Sequence, residues 1–123
     1  MSNVRSKPFA RQLNDWMTRK SGILSKAQAF ATMGLTETAQ PLWNSAASYE
    51  ERIASMLDAQ GDNLEAALHR VSAASCYQKA GDPSRATNLF RAALAGPLRD
   101  ETRKEVESLL NECLSLLKNG YTV

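Results

Sequence analysis

Few residues in this sequence could do chemistry. The chain has one histidine, His69, and two cysteines, Cys76 and Cys113. None of them belongs to a CxxC, Cys/His or HExxH spacing, and no GxSxG, phosphate-loop or dinucleotide motif occurs. Because nucleophilic dyads and metal sites need several such side chains at set spacings, the sequence predicts a protein that is not an enzyme. We expect no catalytic residue, no cofactor and no metal site.

Two pairs of acidic residues are the other candidates for chemistry, Glu50 with Glu51 and Glu105 with Glu107. A di-iron helix would carry a Glu-x-x-His spacing, which is missing here. We therefore expect both pairs to lie on solvated helix faces. We expect His69 to have a surface or packing role rather than an acid/base role. The two cysteines are typical of reduced, packed thiols in a cytoplasmic protein.

The elements that must position these residues are helical. Between Gly and Pro breakers the apolar residues recur every three or four positions, and no useful β alternation is present. The spacing predicts one all-α domain over 1–123 with helices at 8–33, 37–60, 63–80, 83–95 and 99–118. Asp82 followed by Pro83 is a strong helix start. Pro41 lies too deep for a helix that begins at Thr36, so we expect a start delayed to about Thr38 or a kinked first turn.

The chain matches itself at an offset of 81 − 34 = 47 residues, which superimposes Gly34 on Gly81. Small residues fall on small ones and large residues on large ones. The matched pairs are Ala27 and Ala74, Phe30 and Tyr77, Ala39 and Ala86, Leu42 and Leu89, Trp43 and Phe90, and Ala46 and Ala93. Two similar helical hairpins would need this pattern, because a small residue lets two helices approach while an aromatic ring fills the gap beside it.

These residues resemble the tetratricopeptide repeat, which has an aromatic residue in its first helix, Ala-x-x-x-Phe in its second and a Pro after it. The later copy carries this pattern at Tyr77, Ala86, Phe90 and Pro97, and the earlier copy at Phe30, Ala39 and Trp43. The resemblance covers roughly residues 20–100, and the long period is more similar to the elongated repeats of soluble NSF attachment proteins. It implies antiparallel hairpins in a right-handed array, with the fifth helix as a C-terminal cap.

The same resemblance implies a site for a partner. In the family the first helix of each hairpin lines a concave groove. Transferred to this chain, that face comprises Leu24, Gln28, Ala31 and Thr32 in the earlier copy, and Leu68, Val71, Ser75, Gln78 and Lys79 in the later one. The family's carboxylate-clamping version needs several Lys, Arg and Asn residues at this face, whereas Lys79 is the one basic residue here. We therefore expect a helix or an extended segment held by apolar and amide contacts.

The charges are distributed unevenly along the chain, although the formal net charge is only +2. Residues 1–26 carry 6 − 1 = +5, residues 27–69 carry 1 − 6 = −5, and residues 70–104 carry 7 − 3 = +4. Such blocks suggest neighbouring helices of opposite charge. A nucleic-acid binder would show one dominant basic face and a pI above 8.7, so we expect no nucleic-acid partner.

The first helix leaves an alternative open. Phe9, Leu13, Trp16 and Met17 form its apolar stripe, between the basic residues Arg5, Lys7, Arg11, Arg19 and Lys20. This pattern also occurs in helices that bind membrane surfaces or acidic partners. Packing against the next helix is favoured, because the apolar residues keep the same helical spacing without a break as far as Ala27 and Phe30.

The functional hypothesis from sequence is a protein–protein interaction module that serves as an adaptor, scaffold or accessory subunit. Its partner would be a protein or a peptide. Two repeat copies are fewer than such arrays usually contain, so self-association into a homo-oligomer is plausible. The alternatives are a helical subunit of an enzyme or a small-molecule carrier, and a binder of membrane surfaces or acidic partners through the basic first helix.

Overall fold

A computed structural model describes residues 7–120 and consists of five α-helices. They are α1 (Lys7–Thr32), α2 (Thr36–Ala59), α3 (Asn63–Lys79), α4 (Pro83–Leu94) and α5 (Asp100–Lys118). No strand occurs among the described residues, so the predicted all-α class is confirmed. The helix ends lie within one residue of the predicted bounds, except that α2 begins at Thr36 rather than at about Thr38. Arg5, which we assigned to the basic stripe, lies outside the described residues.

The first three connections share one turn geometry. Gly34, Gly61 and Gly81 have φ angles of 80°, 83° and 83°, which only glycine adopts at little cost. In the first turn the Leu35 N–H donates to the Phe30 carbonyl at 2.9 Å, and the other two turns repeat this hydrogen bond. It is the bond of a Schellman motif, which satisfies the last carbonyls of a helix while the chain reverses. The helices α1 to α4 therefore follow one another as short-linked hairpins.

The predicted start of α4 is confirmed, whereas the predicted start of α2 is not. As predicted, Asp82 caps α4, accepting the Arg85 N–H at 3.1 Å, and Pro83 is the first helical residue. The delayed start predicted for α2 is wrong, because α2 begins at Thr36 and contains Pro41. The turn at Gly34 sets this start. Pro41 is exposed, so water can reach the carbonyl that its missing N–H leaves without a partner.

Consecutive helices make the main contacts, and alanine dominates the surfaces where they meet. The fully or nearly fully buried alanines are Ala27, Ala39, Ala46, Ala47, Ala54, Ala66, Ala67, Ala73, Ala74, Ala86 and Ala93. Trp43 and Phe90, which are 47 positions apart, are both buried as well. The earlier and later hairpins thus bury the same small positions, since Ala27, Ala39 and Ala46 have Ala74, Ala86 and Ala93 as their counterparts. The other matched aromatic pair differs, because Phe30 is half-buried and Tyr77 is buried.

The connection between α4 and α5 is held from within α5. The Arg103 guanidinium donates to the carbonyl of Leu94 at 2.7 Å and to that of Gly96 at 3.0 Å. The first bond satisfies a carbonyl at the end of α4 that has no partner within the helix, and the second holds the loop that follows it. Gly96 also lies close to α3, where an added Cβ would be 3.1 Å from the Cβ of Ala67. None of the five helices is both long enough and apolar enough to cross a membrane.

The paired aromatic residues generate a stability prediction. Trp43→Ala and Phe90→Ala should each lower the free energy of unfolding by about 3–5 kcal/mol, because each leaves a cavity that the small neighbours cannot fill. Urea denaturation of both variants measures this. Arg91→Ala, at an exposed position on α4, is the control and should change stability by no more than about 0.5 kcal/mol. A loss below about 1 kcal/mol in either aromatic variant would contradict the prediction.

Candidate functional site

A buried carboxylate joins the first three helices. Glu50 on α2 is only 2% exposed, and its two oxygens contact different helices. One oxygen, Oε1, lies 2.6 Å from Nδ1 of His69 on α3, and the other, Oε2, lies 3.6 Å from Nζ of Lys20 on α1. Because Glu50 reaches both neighbours, α1 and α3 flank the same face of α2.

The structure corrects the sequence interpretation of Glu50, which we expected on a solvated face. Trp43, Glu50 and Leu57 are spaced by seven residues, or two helical turns, so they lie on one face of α2. The outer two are buried apolar residues, and Glu50 is necessarily buried between them. This spacing was visible in the sequence and was the signal that the interpretation missed.

Glu51 is also not on a solvated face. It is half-buried, and its Oε2 accepts a hydrogen bond from the Tyr77 hydroxyl at 2.5 Å. Burial and this hydrogen bond raise the pKa of Tyr77. Glu105 and Glu107, the second predicted pair, are exposed on α5 as expected.

The contact between Glu50 and His69 has the geometry of a general base held by an orienting carboxylate. Such a base activates a nucleophile within hydrogen-bond reach, and no hydrogen bond joins His69 to a Ser, Thr or Cys side chain among residues 7–120. Cys76, two turns after His69, is not itself an activated thiol, because burial and then the charge of Glu50 raise its pKa from 9.0 to about 11. At neutral pH it is a protonated, inert thiol. Residues 7–120 also contain no group of three or more His, Cys, Asp or Glu side chains that could hold a metal ion.

Next to this network, α1 and α3 border an open groove with Trp43 at its floor. Leu24, Gln28 and Lys79, all predicted to contact a partner, line a depression of about 610 Å³ there together with Trp43. The Lys79 ammonium lies 4.5 Å from the centre of the indole ring, a cation–π contact. Gln28 donates to the hydroxyl of Thr32, a fourth predicted residue, at 3.3 Å. We refer to this surface as the α1–α3 groove.

The other predicted partner residues lie outside this depression. Leu68 is exposed on α3, whereas Val71 is half-buried and packs against the core. Ser75 and Gln78 are half-buried. The prediction also omitted Trp43 from the groove, because its large apolar side chain was assigned to the core. In the structure Trp43 belongs to the core, since it is only 6% exposed, and the part of its side chain that is exposed lines the depression.

Comparison with known proteins identifies no relative. The chain matches no protein-family profile, and no curated protein or solved structure matches it at a significant level.

The buried network predicts that Glu50→Ala will be strongly destabilising. The substitution leaves the Lys20 ammonium and the His69 ring, whose side chains are 12% and 17% exposed, without their shared carboxylate. We expect a loss of about 3–5 kcal/mol in the free energy of unfolding. Glu50→Gln keeps a hydrogen-bonding oxygen and should cost less. Glu105→Ala on the exposed face of α5 is the control, and a Glu50→Ala loss no larger than that of the control would contradict the prediction.

The raised pKa of Cys76 predicts that stability falls at alkaline pH. The unfolded thiol ionises near pH 9, whereas the folded thiol holds its proton until about pH 11. The protonated thiol of Cys76 therefore contributes fully to the free energy of unfolding below pH 9, and this contribution is lost between about pH 9 and 11. It amounts to roughly 2 kcal/mol or less.

Chemical denaturation of the wild type and of Cys76→Ala from pH 8 to 11 measures this effect. The substitution removes the titrating thiol, so the variant should lose less stability than the wild type over this range. Parallel curves for the two proteins would show that Cys76 is not the source.

Proposed function

We propose that the protein is a non-enzymatic protein–protein interaction module, an adaptor, scaffold or accessory subunit of tetratricopeptide-like type, that holds a partner segment in the α1–α3 groove. The observation that carries this proposal is the composition of the groove. The Trp43 ring, with the Lys79 ammonium beside it, lines an open depression together with Leu24 and Gln28. Aromatic side chains are enriched in protein-binding surfaces.

Three features support a tetratricopeptide-like arrangement. The two hairpins bury equivalent alanine positions, and Trp43 and Phe90, at the 47-residue offset. Their turns have the same glycine conformation and the same hydrogen bonds. The first helices of the hairpins, α1 and α3, flank one face of α2 and so border a groove, as the first helices do in the repeat family. In this arrangement α5 is the C-terminal cap, held to the end of α4 by Arg103.

The chemistry of the groove favours one class of ligand. Leu24, Ala29 and Trp43 provide apolar surface, and Ser25, Gln28 and Lys79 provide a hydroxyl, an amide and one ammonium. A helix or extended segment that packs an apolar side chain against Leu24 and Ala29 and hydrogen-bonds to Gln28 fits this surface. One carboxylate next to the apolar anchor would pair with Lys79. The proposal places the protein in the cytoplasm, where the buried free thiols Cys76 and Cys113 stay reduced.

Charge reversal in the groove tests this function. Gln28→Glu combined with Lys79→Glu changes two exposed positions in the α1–α3 groove and replaces its ammonium with a carboxylate. The partner is identified by affinity capture with the wild-type chain from the native source and is then titrated against each purified variant. We expect its affinity to fall at least about tenfold, because an acidic segment end would be repelled and the cation lost.

The matched control is Asn111→Glu with Lys104→Glu, which makes the same charge change at exposed positions of α5. The control should bind like the wild type, and both double variants should keep their circular dichroism spectra and thermal midpoints. Unchanged affinity in the folded groove variant would exclude the α1–α3 groove as the binding site.

A further inference from the structure

The apolar core consists of two clusters, and the two halves of α1 pack on different ones. The first half reaches the smaller cluster through Phe9 and Leu13. The second half belongs to the larger cluster through residues such as Ala27. The change occurs between Met17, which packs on the smaller cluster, and Ile23, which packs on the larger one. Helix α1 is therefore docked on two separate parts of the core.

A layer of polar side chains lies between the two clusters. On α2 the larger cluster ends at Ala47 and the smaller one begins at Ile53, with Glu50 between them. Lys20 of α1 and His69 of α3 contact this carboxylate and lie at the same level. Because the layer keeps the clusters apart, the smaller one can open without removing the apolar contacts of the larger one.

Gly22 marks the same boundary in the middle of α1, with Ser21 before it. It is exposed, its φ is not positive, and an added Cβ would meet nothing within 4 Å beyond its own helical turn among residues 7–120. Neither close packing nor a turn therefore requires a glycine there. Glycine inside a helix lowers the folding equilibrium about fivefold relative to alanine, and Gly/Ser pairs are a known cause of helix bending. The helix is thus weakest where it passes from one cluster to the other.

The contact between the first half of α1 and the second half of α2 is not closed. An open depression of about 600 Å³ lies along it, and Trp16 and Met56, which line it, are only half-buried. Among residues 7–120, Lys20 with Glu50 is the one ion pair that links α1 to another helix. Its separation of 3.6 Å is longer than a hydrogen bond. The first half of α1 is therefore held mainly by the small apolar cluster.

We propose that residues 7–21 form a strap that opens as one unit at Gly22 while the other helices stay folded. In the closed form the strap covers Ile53 and Leu57 of α2, which are 0% and 1% exposed. Opening uncovers these side chains together with the apolar face of the strap itself. The closed protein thus keeps an apolar surface from water that movement of one helix half makes available.

The opening leaves the rest of the structure in place. Glu50 loses Lys20 but keeps His69, whose contact with the carboxylate is the shorter one at 2.6 Å. This lost contact makes the closed form the major one. The α1–α3 groove takes its α1 residues from the second half of the helix. The groove therefore survives the opening, and the proposal is independent of the proposed function.

Native-state hydrogen–deuterium exchange of the purified chain, followed for each amide by NMR, tests the proposal. If the strap opens as one unit, the amides of residues 12–20 share one protection factor to within about threefold. We expect this value to be at least about tenfold below that of residues 27–31, with the step at Gly22. A helix that only frays would instead show protection that rises gradually from its first turn, and this result would overturn the proposal.

Phe90→Leu separates strap opening from global unfolding. Phe90 belongs to the larger cluster and is fully buried, so its contacts persist when the strap is open. The substitution should speed exchange of the slowest amides of α3 and α4 at least about fivefold, because it weakens the folded state against global unfolding. Exchange in the strap should change by less than about twofold. Equal acceleration in the strap would show that it opens only when the whole protein unfolds, and the proposal would be wrong.

Gly22→Ala tests the position of the boundary. Alanine favours the continuous helix, so exchange in the strap should slow about fivefold. Ser108→Ala, a helix-favouring change at an exposed position of α5, is the control and should leave exchange in the strap unchanged. If Gly22→Ala slows exchange in the strap no more than the control does, the strap does not open at Gly22 and the proposal fails.

Discussion

The carboxylate of Glu50 constrains the arrangement of the first three helices. A charge that is 2% exposed has lost nearly all its hydration, and among residues 7–120 the contacts with Lys20 and His69 offset that cost. Lys20 and His69 come from different helices. A structure with only α1 or only α3 docked would bury the carboxylate with one partner missing, which is costly. The ion network thus favours docking of both helices together, and this docking also creates the α1–α3 groove.

Much of the fold could be predicted because its determinants are local. The glycines at 34, 61 and 81 adopt the left-handed conformation that ends a helix, and Asp82 with Pro83 starts the next. The start of α2 could not be predicted from Pro41, because the turn at Gly34 fixes that start and tolerates an exposed proline in the second helical turn. Local helix rules alone placed the constraint from Pro41 above the constraint from the turn at Gly34, and the structure shows the reverse order.

The sites were less predictable, because they depend on contacts between distant residues. The seven-residue spacing from Trp43 to Glu50 to Leu57 predicts burial of Glu50, but nothing in the sequence identifies Lys20 and His69 as its partners. Leu24, Gln28 and Lys79 line one depression. Val71 faces the core instead, because the face of α3 that a single helix presents depends on where α2 and α4 lie against it.

The alanine-rich contacts between the helices have a consequence for how this protein tolerates sequence change. Side chains such as Ala46, Ala74 and Ala93 are already fully buried and minimal in size, so a loss of volume there is almost impossible and a gain must force two helices apart. Alanine-scanning mutagenesis, which only shortens side chains, would not detect these interfaces at all. A scan of all substitutions would find them as positions that accept glycine or serine poorly and larger residues hardly ever. The spacing between helices, and with it the width of the α1–α3 groove, is therefore set by residues that a conventional scan would score as silent.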